Sequence, residues 1–379
     1  MKLTRVSSFL LSYPLPEPVV LPEEVISKRD AMLIRVEADN GLVGYAPGEP
    51  TERAALAVEE TVAPFLEGRI LADPDALRVL FLHGPGSDSY LARVYSMVEI
   101  GLLDVIGKAL DVPVSELLGG RVRERVRLYG SSAASGAPER AAEEAAALAD
   151  MGFTAYRMRL GRGPANDARD FEFIRRTAAA DFDLMADARA WQSSDAVAEA
   201  ARALAEQRAL WVEEPLASGD PEACSRLKRE TGVSLAAGAH EASDDALVAL
   251  LQSRAVDYVQ MDIARQGGYP AARLVLTETA REGLRFAFRT GGTALDLVAA
   301  AHVAVCWPEM VAEWLEFPCY SGIARPGMYP FPLFEDILAE PLEIEAGDLA
   351  VPRKPGLGVE VNEAVIERYG WIPHASPCG

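Results

Sequence analysis

The chain has 379 residues, half of them hydrophobic, and a formal net charge of −20 with a pI near 4.7. It exceeds the usual size of one core, which predicts two domains or one large α/β domain with additions; its acidity argues against nucleic acid or an anionic membrane surface as partner. Four widely spaced cysteines, Cys224, Cys306, Cys319 and Cys378, form no CxxC or Cys/His cluster, so reduced structural thiols are expected rather than a zinc site or a disulfide framework.

The N-terminal MKLTRVSSFLLSYPLP carries an apolar patch too short for a membrane span and shows no small-residue cleavage site, which makes a cytoplasmic location the expectation. VSSFLLSY reads as a strand. A Pro-rich loop then leads to AMLIRVEADNGLVGYA, where Asn40-Gly41 marks a hairpin turn because both positions tolerate positive φ. Thr51–Glu67 and Pro74–Leu82 read as helices. Ser87–Leu110 reads as a longer one, with Leu91, Val94, Met97, Val98, Leu102, Val105 and Ile106 on one face. Residues 1–120 are thus expected to form an α+β module.

Beyond Gly119-Gly120 the chain repeats apolar run, polar turn and Ala-rich helix. Strand-like runs fall at VRLYGS, TAYRMRL, FDLMADA, ALWVEE, VSLAAG, DYVQMD, RFAFRT and VAEWLEF. Their ends recur every ~25 residues, the length of one strand, one helix and two short loops. Eight such units predict a (β/α)8 TIM-type barrel over residues 121–320, whose chemistry sits at the C-terminal ends of the strands. The Pro- and aromatic-rich residues 321–379 lack this beat and are expected to complete a discontinuous cap.

Those strand ends carry Arg157 and Arg159, Asp187 and Arg189, Glu213 and Glu214, Ala239, His240 and Glu241, Asp262 and Arg265, Arg289, and Glu316. A carboxylate at the end of a buried strand is costly unless it faces a cation, a site or a partner base. The polar ends therefore mark one mouth.

The helix segment VEIGLLDVIGKALDVPVSELLGG, followed in order by MADAR, WVEEP, VQMDIARQGG and EWLE, resembles the enolase superfamily, in the mandelate racemase and muconate lactonizing enzyme group. The resemblance runs nearly end to end. It implies an α+β cap with specificity loops near Pro14–Asp30 and Gly44–Arg53, a homo-oligomer, and a small carboxylate substrate. It also implies abstraction of the proton α to a carboxylate, with Mg²⁺ stabilising the enediolate. Three carboxylates from successive strands would hold that hard ion. Asp187 and Glu213 occupy the first two positions, but Ala239 stands at the third, leaving Glu241 as an alternative ligand.

The acid/base positions depart too. The family's Lys-x-Lys is replaced by Arg157 and Arg159, and its seventh-strand His by Arg289, while Asp262 is kept on the sixth strand. Arginine is a poor base. Arg157 either caps its strand or faces the mouth, Asp262 can pair with Arg289, and His240 is either a replacement base or a polar loop residue. Acids without an ion need another counter-charge. Guanidinium from Arg159, Arg189 and Arg289 is therefore expected to replace metal, with Arg189, His240 and Glu316 facing a bound acid-sugar-like anion. Two functions follow as expectations. One is a dehydratase, epimerase or racemase acting on a hydroxy-carboxylate; the other is a divergent member that binds a carboxylate, or runs another reaction, without magnesium.

Overall fold

A computed structural model describes residues 1–20, 25–132, 138–191, 196–216, 220–241, 244–319 and 331–371. The N-terminal sheet is antiparallel, in the order β1 (Leu3–Val20), β2 (Val25–Ala38) and β3 (Val43–Gly48), with Leu10 opposite Met32 and Val36 opposite Gly44. The predicted turn between β2 and β3 forms: Gly41 has φ +81 and Asn40 Oδ1 accepts from Leu42 N at 3.2 Å.

Of the two expected loops, the first is largely strand and the second is strand over its first half. Pro14 pairs with Lys28 and Val19 with Ile26, so residues up to Val20 and from Val25 run as paired antiparallel strands, and Gly44 to Gly48 lie in β3. β1 is an edge strand, where proline's missing N–H breaks no ladder bond. The helix Ser89–Leu110 starts on Asp88, whose carboxylate accepts from Tyr90 N and Leu91 N, and packs against the sheet. The approach is close at Gly44: a Cβ there would lie 2.3 Å from Gly101 O.

All eight predicted barrel strands form: β4 (Arg125–Ser132), β5 (Ala155–Arg159), β6 (Asp183–Asp187), β7 (Val212–Glu213), β8 (Leu235–Ala237), β9 (Tyr258–Met261), β10 (Arg285–Phe288) and β11 (Ala312–Cys319). They pair in parallel and in order, and β11 closes on β4 with Glu316 opposite Tyr129. The interior is filled by one buried side chain per strand position, namely Tyr129, Ala155, Met185, Trp211, Ala236, Tyr258, Ala287 and Trp314. Large aromatics interleave with alanines, so the barrel is a plugged core rather than a pore.

The C-terminal stretch touches both parts. A short hairpin, β12 (Ile344–Glu345) and β13 (Asp348–Ala350), pairs antiparallel with β4, while Trp371 N donates to Leu10 O at 2.8 Å on the cap sheet. His302 ties three segments together: it accepts from Ser115 N at 3.2 Å and faces Leu357 O at 3.0 Å. That pattern requires a neutral ring donating through Nε2, and burial pushes its pKa down to about 4. Cys224, Cys306 and Cys319 are free thiols; Cys378 lies outside the described residues. Among the described residues, no helix is long and apolar enough to cross a membrane.

Candidate active site

Side chains two apart on a strand share a face. Stepping two residues from each plug side chain gives Ser131, Arg157, Asp187, Glu213, Gly238, Gln260, Arg289 and Glu316. Seven of these eight carry functional groups, and the seven form one network at the C-terminal end of the barrel. The eighth, Gly238, has φ +123, and a Cβ there would lie 2.7 Å from Gln260 O.

Arg157 sits at the centre of that layer, almost fully buried at 2 % exposure. Its Nε donates to Glu213 Oε2 at 2.9 Å, and its Nη2 to Asp187 Oδ2 at 2.9 Å and Glu213 Oε1 at 3.2 Å. Its Nη1 donates to Ser131 Oγ at 2.8 Å and lies 3.8 Å from Glu316 Oε1. Arg289 closes the ring, its Nε donating to Glu316 Oε2 at 2.7 Å and its Nη1 to Glu213 Oε1. Ser131 Oγ, Thr290 N and Gln260 Nε2 supply further donors to Glu316 and Glu213.

The electrostatics follow from this geometry. Burial opposes charge on Asp187, but Arg157, then Arg159, Arg289 and Arg189, outweigh it and hold the carboxyl down at about 2. Glu316 is likewise lowered, burial being outweighed by Arg289 and Arg157. Burial opposes the charge on Arg157 and Arg289, yet Glu213 and its neighbours raise both above the ordinary arginine value. Neither guanidinium can act as a base near neutral pH.

One layer further out lies a rim of Arg159, Arg189, His240 and Asp262. Arg189 Nη1 meets His240 Nε2 at 2.8 Å, and Arg189 N donates to Asp187 Oδ1 at 3.1 Å. An arginine N–H needs a lone pair to donate to, so His240 is neutral with its proton on Nδ1. Partial desolvation, then Arg189 and Arg289, push its pKa down to about 4. Asp262 accepts from Ala264 N at 2.9 Å and faces Arg265 at 3.4 Å, and burial raises its pKa. The expected Asp262–Arg289 pair gives way to these contacts, because Glu213 and Glu316 take up Arg289.

The donor set does not fit a magnesium ion. Asp187 Oδ2 and both Glu213 oxygens already accept guanidinium N–H groups, and the third family position is the methyl group of Ala239. Glu241 contributes its backbone oxygen to Gln266 Nε2 at 3.2 Å. Among the described residues no three Asp, Glu, His or Cys side chains are placed to hold a metal, so Asp187, Glu213 and Glu241 do not form such a group.

Sequence reasoning did not single out Ser131, Gln260 or Thr290. The two-residue step would have found the first two, since Ser131 and Gln260 follow Tyr129 and Tyr258 on one face. Of the two places the sequence allows Arg157, strand cap or mouth, it takes the second and is the hub of the mouth.

Residues 5–119 match the mandelate racemase / muconate lactonizing enzyme N-terminal domain, and residues 140–365 match the enolase C-terminal domain-like family. The D-galactarolactone cycloisomerase of Agrobacterium fabrum is 27 % identical over 97 % of this chain and 99 % of its own. The D-gluconate dehydratase of Thermoproteus tenax is 26 % identical over 96 % of this chain and 75 % of its own. A crystal structure from Bordetella bronchiseptica RB50, titled as a proposed mandelate racemase complexed with 2-oxoglutarate/phosphate, superposes with a TM-score of 0.87 at 27 % identity, covering 98 % of this chain and 99 % of that one. An eight-stranded barrel with polar strand ends, an antiparallel cap sheet and two matching domain families lead to one assignment: the chain belongs to the mandelate racemase / muconate lactonizing enzyme group of the enolase superfamily.

Proposed function

We propose that the chain acts on a small hydroxy-carboxylate at the rim of the barrel mouth, with His240 as the group that accepts the α proton. The observation that carries this reading is the Arg189–His240 contact, a guanidinium donating to a neutral imidazole. A ligand carboxylate competes for Arg189 and releases Nε2. With the arginine charge met by the ligand, the imidazole becomes a stronger base. The α C–H proton passes to Nε2, and the bonding pair moves into the carboxylate, whose growing negative charge is met by N–H donors of Arg159 and Arg189. Reprotonation on either face gives exchange or epimerisation; loss of a β-hydroxyl gives dehydration. Relatives that are cycloisomerases and dehydratases of sugar acids, and a related structure titled with bound 2-oxoglutarate, support the substrate class.

The test is α-deuterium exchange across an acid-sugar panel in the presence of EDTA. His240→Gln is expected to slow exchange by about 10² to 10⁴, the range of a positioned general base. Exchange unchanged in His240→Gln would remove His240 from the role. A second reading, a carboxylate-binding member without turnover, is favoured by arginine at both of the family's base positions, Arg159 for the second Lys and Arg289, paired with Glu213 and Glu316, for the His. Thermal stabilisation by an acid with no exchange would select it.

A further inference from the structure

We infer that the Arg157 guanidinium is the resident cation of this site: it takes the place of a divalent ion and moves ligand recognition outward by one residue layer. The inference builds on the barrel mouth as the working site, not on the identity of its ligand.

Three observations carry it. The first is position. Arg157 bridges Asp187 and Glu213, the two acids that the family resemblance assigns to the metal, and it does so from the adjacent strand β5 at full burial. The second is valence. A guanidinium has five N–H groups; four are hydrogen-bonded to Glu213, Asp187 and Ser131, and Glu316 faces Nη1 as an ion pair at 3.8 Å. A magnesium ion held by two or three carboxylates keeps coordination positions for waters or substrate; this guanidinium is buried and directs its hydrogen bonds to protein groups. The third is charge. Asp187, Glu213 and Glu316 carry three negative charges against two positive charges on Arg157 and Arg289, the same balance of −1 that a divalent ion gives with three carboxylates.

The spacing is also set for hydrogen bonds. Nitrogen to oxygen distances of 2.9 Å separate the guanidinium from Asp187 and Glu213, whereas magnesium requires oxygens at about 2.0–2.1 Å. Filling the centre has a consequence for function. Buried, and with four of its five N–H groups hydrogen-bonded to the protein, Arg157 can balance the acids yet cannot polarise a ligand directly. A ligand anion therefore meets the next layer, Arg159, Arg189 and His240, about 7 Å further along the strands.

Manganese titration followed by electron paramagnetic resonance tests this on the full chain. The wild-type protein is expected to bind no Mn²⁺ at micromolar concentration, and its Tm to be equal in Mg²⁺ and EDTA. Ala239→Glu alone is expected to behave the same, since Arg157 still fills the centre. The double variant Arg157→Ala with Ala239→Glu is expected to take up one Mn²⁺ per chain and to gain Tm on adding Mg²⁺. One tight equivalent of Mn²⁺ on the wild-type protein or on Ala239→Glu overturns the inference, as does a folded double variant that takes up none. Should the double variant not fold, the wild-type and Ala239→Glu titrations decide the matter alone. Failure to bind or exchange any acid in the panel would sink the proposed function and leave this inference standing.

Discussion

Two successive layers of one barrel mouth treat the same kind of charge in opposite ways. In the inner layer Arg157 and Arg289 are consumed by Asp187, Glu213 and Glu316, with Ser131 and Gln260 satisfying further polar atoms. In the outer layer Arg189 contacts a neutral histidine, and Arg159 is partly exposed. The first arrangement suits a scaffold, because a buried charge survives only when fully paired. The second suits recognition, because a ligand anion can displace a neutral partner at little cost. The distance between the two is one turn of the pleat.

The largest expected effect breaks the inner layer. Arg157→Met leaves three buried carboxylates short of a counter-charge and is expected to destabilise the fold by about 3–5 kcal/mol, the cost of removing one partner of a buried ion pair. Urea unfolding measures it, and a loss below about 1 kcal/mol would contradict a structural hub.

Acid titration needs a calibration, because His302 is also buried and neutral. Its folded pKa of about 4 lies below the unfolded value of 6.5, so the unfolded chain binds more protons between those values. Stability is then full above pH ~6.5 and falls by about 3 kcal/mol as pH drops toward 4, at 1.36 kcal/mol per unit. His302→Gln, which can still accept from Ser115 N and donate to Leu357 O, should flatten that slope. If it does not, the loss in this window belongs elsewhere.

A milder cut at the inner layer is Ser131→Ala, which strips one donor from Glu316 and one acceptor from Arg157. The expected loss is about 1–3 kcal/mol, read from the same unfolding curves. The smallest effect on stability is expected in the rim. Arg189→Ala should change unfolding by no more than about 0.5 kcal/mol while weakening carboxylate binding by at least ~10-fold, about the value of one charge-assisted hydrogen bond. Calorimetry with the best acid from the panel measures the second quantity. Equal effects of Arg157→Met and Arg189→Ala on stability would erase the contrast between the layers.

The barrel was legible in the sequence because its signals are local. Each strand announces itself by an apolar run, each helix by its stripe, and the period of ~25 residues counts the units. The strand-end acids and arginines were legible for the same reason, as was the loss of the third ligand at Ala239. Other features were not. The Pro14–Asp30 arm reads as a loop from its prolines, and only its place on the sheet edge shows that they are tolerated in a strand. Asp262 and Arg289 follow adjacent strands, which makes them natural partners in the sequence, but Glu213 and Glu316 take the same guanidinium.

By itself, then, the sequence determined which residues reach the mouth, since two-residue periodicity along eight strands is a property of the backbone. It could not determine which of four arginines neutralises which acid. That choice depends on distances around the mouth between side chains far apart in the chain, by 185 positions for Ser131 and Glu316. Burial then decides the outcome: at the centre an unpaired charge is intolerable and Arg157 is held in place from every side, whereas at the rim water can share the load and Arg189 is left to meet a ligand.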